Sequence, residues 1–529
     1  MNGQLLTFNF SLLTFTYMSA TILFSFVIGY FLLLLVVAYY TSRNSNNESF
    51  FIGNRSSNWM LVAFGMIGTS LSGVTFVSVP GTVGDYAAGA YKGFAYFQVV
   101  IGYFIGYFVV AFVLLPLYYR MNLTSIYNYL QRRFGNISYK TGSLFFIISR
   151  TVGATARLYL VIYVLQEFIL DDLGVPFIVT TLVILLMILL YTFEGGVKTI
   201  VYTDTLQTSF MLLGLIVCIV YIMNNLDLSF GGAMETLSDR GYSRVFNTDV
   251  NSRGFFLKQI IGGMFITIAM TGLDQEMMQK NISVRTLKDS QKNMVTFNFI
   301  IVLVNFLFLL LGGLLYIYAL NQGANYEQEM VNGVAKYKLI SGGENIIGDP
   351  LFPTVALGMM PQVISVIFII ALISALFPSA DGALTALTSS FCIDILGLKR
   401  REDLTEQQRK RIRLTVHLSF TVVFMLCILV FERIGDRSII DRILDLAGYT
   451  YGPLLGLFAF GIFSKRRLPD TYLVTAICLL APLLCIFISQ NAAKWLGGYQ
   501  IGIELLLING ILTYLGLLLI SKKAVPATN

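Results

Sequence analysis

The chain has 529 residues, 56% of them hydrophobic and 12% charged, with a mean hydropathy of +0.74. That composition excludes a soluble globular fold and describes an all-α polytopic membrane protein. The net charge of +7 would suit a nucleic-acid partner, but the basic residues follow membrane topology instead, and no nucleic acid is expected.

In chain order, thirteen candidate spans fall near residues 20–40, 59–79, 94–119, 141–168, 177–191, 202–223 and 256–278, then 295–320, 363–395, 414–431, 443–463, 472–489 and 503–520. With the N-terminus outside, 23 of the 36 Lys and Arg lie in inner loops and 11 in outer loops, while Arg150 and Arg157 fall within a span. This bias predicts an odd number of helices, an external N-terminus and a cytoplasmic C-terminus in the plasma (inner) membrane, with lipid as the surrounding partner. Residues 1–17 lack the basic region of a signal peptide, so the first apolar segment is expected to remain as an anchor. The five cysteines sit in apolar runs without paired spacing, and His417 is the only histidine. Neither a disulfide nor a transition-metal site is expected.

Two spans are interrupted. The second reads GMIGTSLSGVTFVSVPG, and the seventh reads IIGGMFITIAMTGLDQEMMQKN. Both should be poor continuous helices. They lie five spans apart, where two five-helix repeats of opposite topology would each open on a broken helix. Unwound backbone at membrane depth is tolerated where it lines a cavity, which predicts a binding site between spans two, seven and nine.

The ninth span carries IIALISALFPSADGALTALTSSFCIDI over residues 369–395. Ser374, Asp381, Thr385 and Thr388 recur at helical spacing, with Ser379, Gly382, Ser389 and Ser390 beside them. A carboxylate against lipid costs roughly 3 kcal/mol, so this face is expected to meet an ion, water or protein. A polar helix–helix seam would place the same hydroxyls there.

Several stretches resemble the sodium:solute symporter family: FFIGNRSSNW (50–59), TSIYNYLQRRFG (124–135), EGGVKTIVYTDTLQ (194–207), DQEMMQKN (274–281) and the ninth-span motif. The resemblance runs in register over roughly residues 45–465. It implies a leucine-transporter-like 5+5 inverted repeat, with an extra N-terminal helix (1–45), a ten-helix core (46–465) and two C-terminal helices with a short tail (466–529). It also implies a main sodium site from the backbone carbonyls of Gly68, Leu71 and Ala375 and the hydroxyl of Ser379. Pro378 departs from the pattern by supplying no hydroxyl. It also frees the carbonyl of Ser374, a replacement hard ligand. A second sodium site, as in some members, would use Asp204 with Ser379 and Asp381. Asp204 as a helix cap at the cytoplasmic edge is the alternative.

For the solute, the resemblance points to Ser72, Gly73 and Thr75 in the broken span, and to Gln98, Arg157 and Gln275. Arg157 lies inside an apolar run, and a buried guanidinium needs an acceptor. A solute carboxylate suits it, as would a helix carbonyl or a protein Asp. The sugar-transporting branch resembles the chain less well, which has Val74, Thr75 and Ile301 at its sugar contacts. The expected function is sodium-coupled symport of a small polar acid, such as an amino acid or sialate, into the cell by alternating access, with sodium as coupling ion and no organic cofactor. Proton coupling, or a sugar or inorganic-anion solute, is the alternative. A sensor would carry a signalling domain, which the tail after Ile520 is not expected to hold. An enzyme would need a nucleophile–base pair or a metal centre, and no obligatory protein partner is expected.

Overall fold

The computed structural model describes residues 19–43, 47–87, 90–193, 196–331, 334–434 and 446–523. The segment read as lacking a signal peptide lies outside them. Eight helices are long and apolar enough to cross a membrane, two further spans are bent pairs, and three shorter apolar helices follow the same course. The thirteen expected spans are therefore all occupied by helix among the described residues.

Helix α1 (Ala20–Ser42) precedes the core. The first repeat opens on α2 (Trp59–Ser70) and α3 (Gly73–Gly81), followed by α4 (Tyr96–Arg120), α5 (Asn136–Leu170), α6 (Phe177–Thr192) and α7 (Gly196–Asn225). The second opens on α8 (Phe256–Gly272) and α9 (Gln275–Ile282) and continues through α10 (Leu287–Asn321), α11 (Gln362–Ile395), α12 (Glu406–Ile434) and α13 (Gly452–Phe463). Helices α14 (Leu473–Trp495) and α15 (Leu505–Ile520) follow. Outside the expected helices, Asn325–Val331 and Val334–Ser341 pair as an antiparallel hairpin between α10 and α11.

Both glycine-interrupted spans break where the sequence weakens them. The first bends by 54° and the second by 62°. Leu71 leaves the helical region (φ −93°, ψ 80°), and Ser72 is extended before α3 begins. In the second break Asp274 caps α9, its side chain accepting from the amides of Glu276 (2.9 Å) and Met277 (3.3 Å). Each break leaves end carbonyls and first-turn N–H groups without helical partners, deep inside the protein.

Close approach of backbones fixes the centre. Gly68 donates its N–H to Thr208 Oγ1 (3.1 Å), and a Cβ there would meet that oxygen and Pro378. Thus α2 is wedged against α7 and α11. Helix α11 runs unbroken through Pro378, and Ser374 to Ser390 are all buried. Lipid-facing side chains such as Leu186, Val422 and Leu483 stay exposed, as an apolar surround requires.

Candidate functional site

The two breaks face a buried ionic network. Lys280 on α9 donates to Asp204 Oδ2 (2.6 Å) and Thr69 Oγ1 (2.5 Å), and lies 3.7 Å from Glu276. Glu276 pairs with Arg150 of α5, whose guanidinium also lies 3.8 Å from Asp274. Asp274 accepts from Tyr451 (2.9 Å), and Asp381 accepts from Tyr191 on α6 (2.7 Å). Gly382 packs directly on Glu276, which brings α11 against α9 at this level. Three carboxylates thus pair with two basic side chains and Asp381 adds a fourth carboxyl group, all 4% exposed or less. Uncompensated buried charge costs several kcal/mol per ion, so the excess of carboxylate is suited to further cations. Asp204 Oδ1, both polar atoms of Gln207 and Thr385 Oγ1 are buried without hydrogen-bond partners in the same region. By contrast, buried Asp394 is satisfied by Ser125, Tyr139 and Ser390.

The polar stripe of α11 divides between neighbours. Asp381 reaches α6, while Thr388 holds His417 of α12 at 2.9 Å. Thr192 binds the other ring nitrogen, so His417 is a satisfied core group. Ser374 donates to Ile370 O (2.6 Å) and Ser379 to Leu376 O (3.0 Å). Such a bond consumes the proton and leaves the Ser379 oxygen lone pairs available to a cation. Gly68, Leu71, Ala375 and Ser379 are all buried where α2 crosses α11. Asp204 is no cap. It sits inside α7 under the ammonium of Lys280.

Beside this network a cavity opens between the α2–α3 break, α4, α5, α8 and α10. Its lining includes Ser72, Thr75, Tyr107, Arg150, Arg157 and Asn305. Arg150 is held by Glu276 and Asp274, whereas Arg157 makes no ion pair or hydrogen bond with the described residues. The remaining predicted solute residues lie elsewhere. Gly73 packs on Val161 of α5, with no room for a side chain. Gln98 is committed to the 247–254 loop, accepting from Asn247 N (3.2 Å) and donating to Ala95 O (2.9 Å) and Gly254 O (3.5 Å). Gln275 anchors the 124–126 loop through Ile126 N (3.0 Å) and Thr124 O (3.2 Å). Sequence reasoning did not single out Arg150, Glu276, Lys280 or Asn305 for the site. Two spacings signal part of that group: Arg150 and Arg157 are seven apart on one face of α5, and Glu276 and Lys280 are four apart on α9.

A pair of broken helices at matching places in two repeats, around buried charge and a solute-sized cleft, defines an ion-coupled secondary transporter. The family model for the sodium:solute symporter family matches residues 50–471. The chain belongs to the sodium:solute symporter family and is a multi-pass, sodium-coupled solute transporter. It is 25% identical over 481 residues to the sodium/sialic acid symporter NanT of Aliivibrio fischeri, covering 89% of this chain and 88% of that protein. It is 23% identical to the sodium/sialic acid symporter SiaT of Proteus mirabilis, covering 79% and 80%. Among solved structures, a substrate-bound, outward-open Na+-coupled sialic acid symporter superposes with a TM-score of 0.77 at 20% identity, over 95% of this chain and 99% of that one. That likeness establishes the leucine-transporter-type fold.

Proposed function

We propose that the solute is a small carboxylate-bearing molecule, sialic acid or a similar acid, carried inward with sodium by alternating access. The observation that carries this reading is Arg157: a guanidinium on a cavity wall, among apolar helices, without a partner among the described residues. A carboxylate fits its planar donor fork. The named relatives that transport sialic acid support the same class. Sodium would sit where the carbonyls of Gly68, Leu71 and Ala375 and the hydroxyl of Ser379 converge on the crossing of α2 and α11. Asp204 and Asp381 would add a second position, in which sodium shares Asp204 with Lys280. The N-terminus would face outward and the C-terminus the cytoplasm, with a ten-helix core over residues 46–465.

The energetics suit accumulation. One charge crossing 100 mV releases ~2.3 kcal/mol, and a tenfold sodium gradient adds ~1.4 kcal/mol. One sodium then sustains roughly a 500-fold gradient of a neutral solute. A monoanion cancels one charge, so strong concentration of an acid calls for a second sodium.

The test is uptake into proteoliposomes, screened across sialic acid, amino acids, short carboxylates and sugars. Uptake of an acid that needs inward sodium supports the reading. Uptake that follows pH equally well in choline or potassium buffer would assign protons to the surplus carboxylates instead.

A further inference from the structure

Asn305 stands on α10, facing the same cavity as Arg157. It is 1% exposed. Its Nδ2 donates to Ile301 O at 2.7 Å, one turn earlier on the same helix, which fixes the amide orientation. The carbonyl oxygen Oδ1 that remains is buried and has no hydrogen-bond partner among the described residues. Asn293 and Asn298 on the same helix also leave an unpartnered Oδ1, but neither lines the cavity. A buried acceptor left unmade is costly, and a group that supplies a donor there gains what the protein forgoes.

From this we infer that Asn305 is a specificity-determining residue whose side-chain carbonyl accepts a hydrogen bond from an O–H or N–H group of the solute. The inference rests on the carboxylate reading above. It narrows that reading to acids that carry a hydrogen-bond donor away from the carboxylate, as hydroxylated acids do. Plain aliphatic carboxylates fill the cavity but leave Oδ1 unmade. Sites built to bond a substrate hydroxyl discriminate strongly against analogues that lack it, because the protein group is then buried and unpaired. Around Arg157 and Asn305 the wall mixes apolar surface from Ile301, Met270 and Val74 with hydroxyls of the α2–α3 break, α4 and α8, and Asn305 supplies its amide oxygen on the α10 side.

The experiment uses the full-length protein in proteoliposomes with an inward sodium gradient. The probes are gluconate and sialic acid as hydroxylated acids, and hexanoate as a six-carbon acid without hydroxyls. Wild type is expected to prefer the hydroxylated acids. Asn305→Leu should weaken them roughly tenfold to a hundredfold, leave hexanoate and the sodium half-saturation unchanged, and so erase the preference. Asn305→Ala withdraws the acceptor without adding bulk and should act in the same direction if the leucine variant fails to fold. Arg157→Ala should weaken all the acids together. If acids are transported and both Asn305 variants keep the wild-type preference, Asn305 is only structural and the carboxylate reading survives. If the variants shift the sodium half-saturation instead, Oδ1 serves the cation and the inference is overturned. If no acid is transported and Arg157→Ala changes nothing, the carboxylate reading fails and takes this inference with it.

Discussion

The ammonium of Lys280 rests 2.6 Å from Oδ2 of Asp204, with both side chains 3% exposed or less at the level of the broken helices. The other oxygen, Asp204 Oδ1, is buried and has no hydrogen-bond partner among the described residues. One oxygen of the carboxylate thereby serves a tethered cation, and the other is the atom proposed above for sodium. Breaking a buried pair by removing one member costs about 3–5 kcal/mol, because the other charge is left alone. Lys280→Met should therefore lower the thermal unfolding temperature of the purified protein markedly. The double variant Lys280→Met with Asp204→Asn should recover much of that loss. Equal damage from the single and double variants would show that the pair contributes nothing to stability.

Ser379 tests the main sodium position. Its hydroxyl donates to Leu376 O, so Ser379→Ala removes a weak local bond and an oxygen ligand together. The expected result is a large rise in the sodium concentration for half-maximal uptake, with protein abundance close to wild type. A sodium curve that does not move would remove Ser379 from the site.

Gly68 tests the packing that brings the α2 carbonyls to α11. A methyl group there would meet Thr208 Oγ1 and lie 3.3 Å from Pro378 Cγ. Overpacking of this kind typically costs about 1–3 kcal/mol. Gly68→Ala should weaken sodium activation, and Thr208→Ala in the same chain should restore part of it by removing the obstructing oxygen. No rescue would mean that the loss has another cause.

Much of this architecture was legible in the sequence because the bilayer enforces it. Apolar length fixed the thirteen spans, and clustered glycines marked both breaks. The solute cavity was legible only in part. Arg157, Ser72 and Thr75 are where the sequence pointed, since a charge in an apolar run and an unwound helix are local signals. Gln98 and Gln275 differ because their amides are consumed by loop backbone more than 120 positions away in the chain, a pairing that no periodicity reports. The stripe on α11 looked like one surface, yet its members meet α6 and α12 separately. Only the packing of α6 and α12 around α11 decides that division.

Topology gives an independent check, motivated by the excess of basic residues in the inner loops. Gln408, in the first turn of α12, and Ser229, between α7 and α8, are both exposed. A cysteine at Gln408 should be protected from an impermeant thiol reagent in intact cells, and one at Ser229 should react. Labelling at Gln408 from outside would reverse the orientation. Asn46, the other inner-loop position suited to this probe, lies outside the described residues.

Arg157 bears most directly on the chemistry of the solute. An apolar helix retains a guanidinium only where something accepts its hydrogen bonds or water reaches it, since desolvating the charge alone costs several kcal/mol. Arg150, one face-repeat away, already has Glu276 and Asp274 as partners, while Arg157 has none among the described residues. The two arginines are thus separable by mutation. Arg150→Ala should impair folding by stranding two carboxylates, whereas Arg157→Ala should leave folded protein in the membrane and nearly abolish uptake of the acid. Arg157→Lys keeps the charge but loses the bidentate fork, so it should raise the apparent substrate constant with little effect on sodium activation. The decisive measurement compares a transported acid with its amide. Wild type should discriminate strongly against the amide, and Arg157→Ala should lose that discrimination because no cation remains to distinguish carboxylate from carboxamide. If the variant keeps the wild-type preference, Arg157 is a structural residue and the solute need not be an anion.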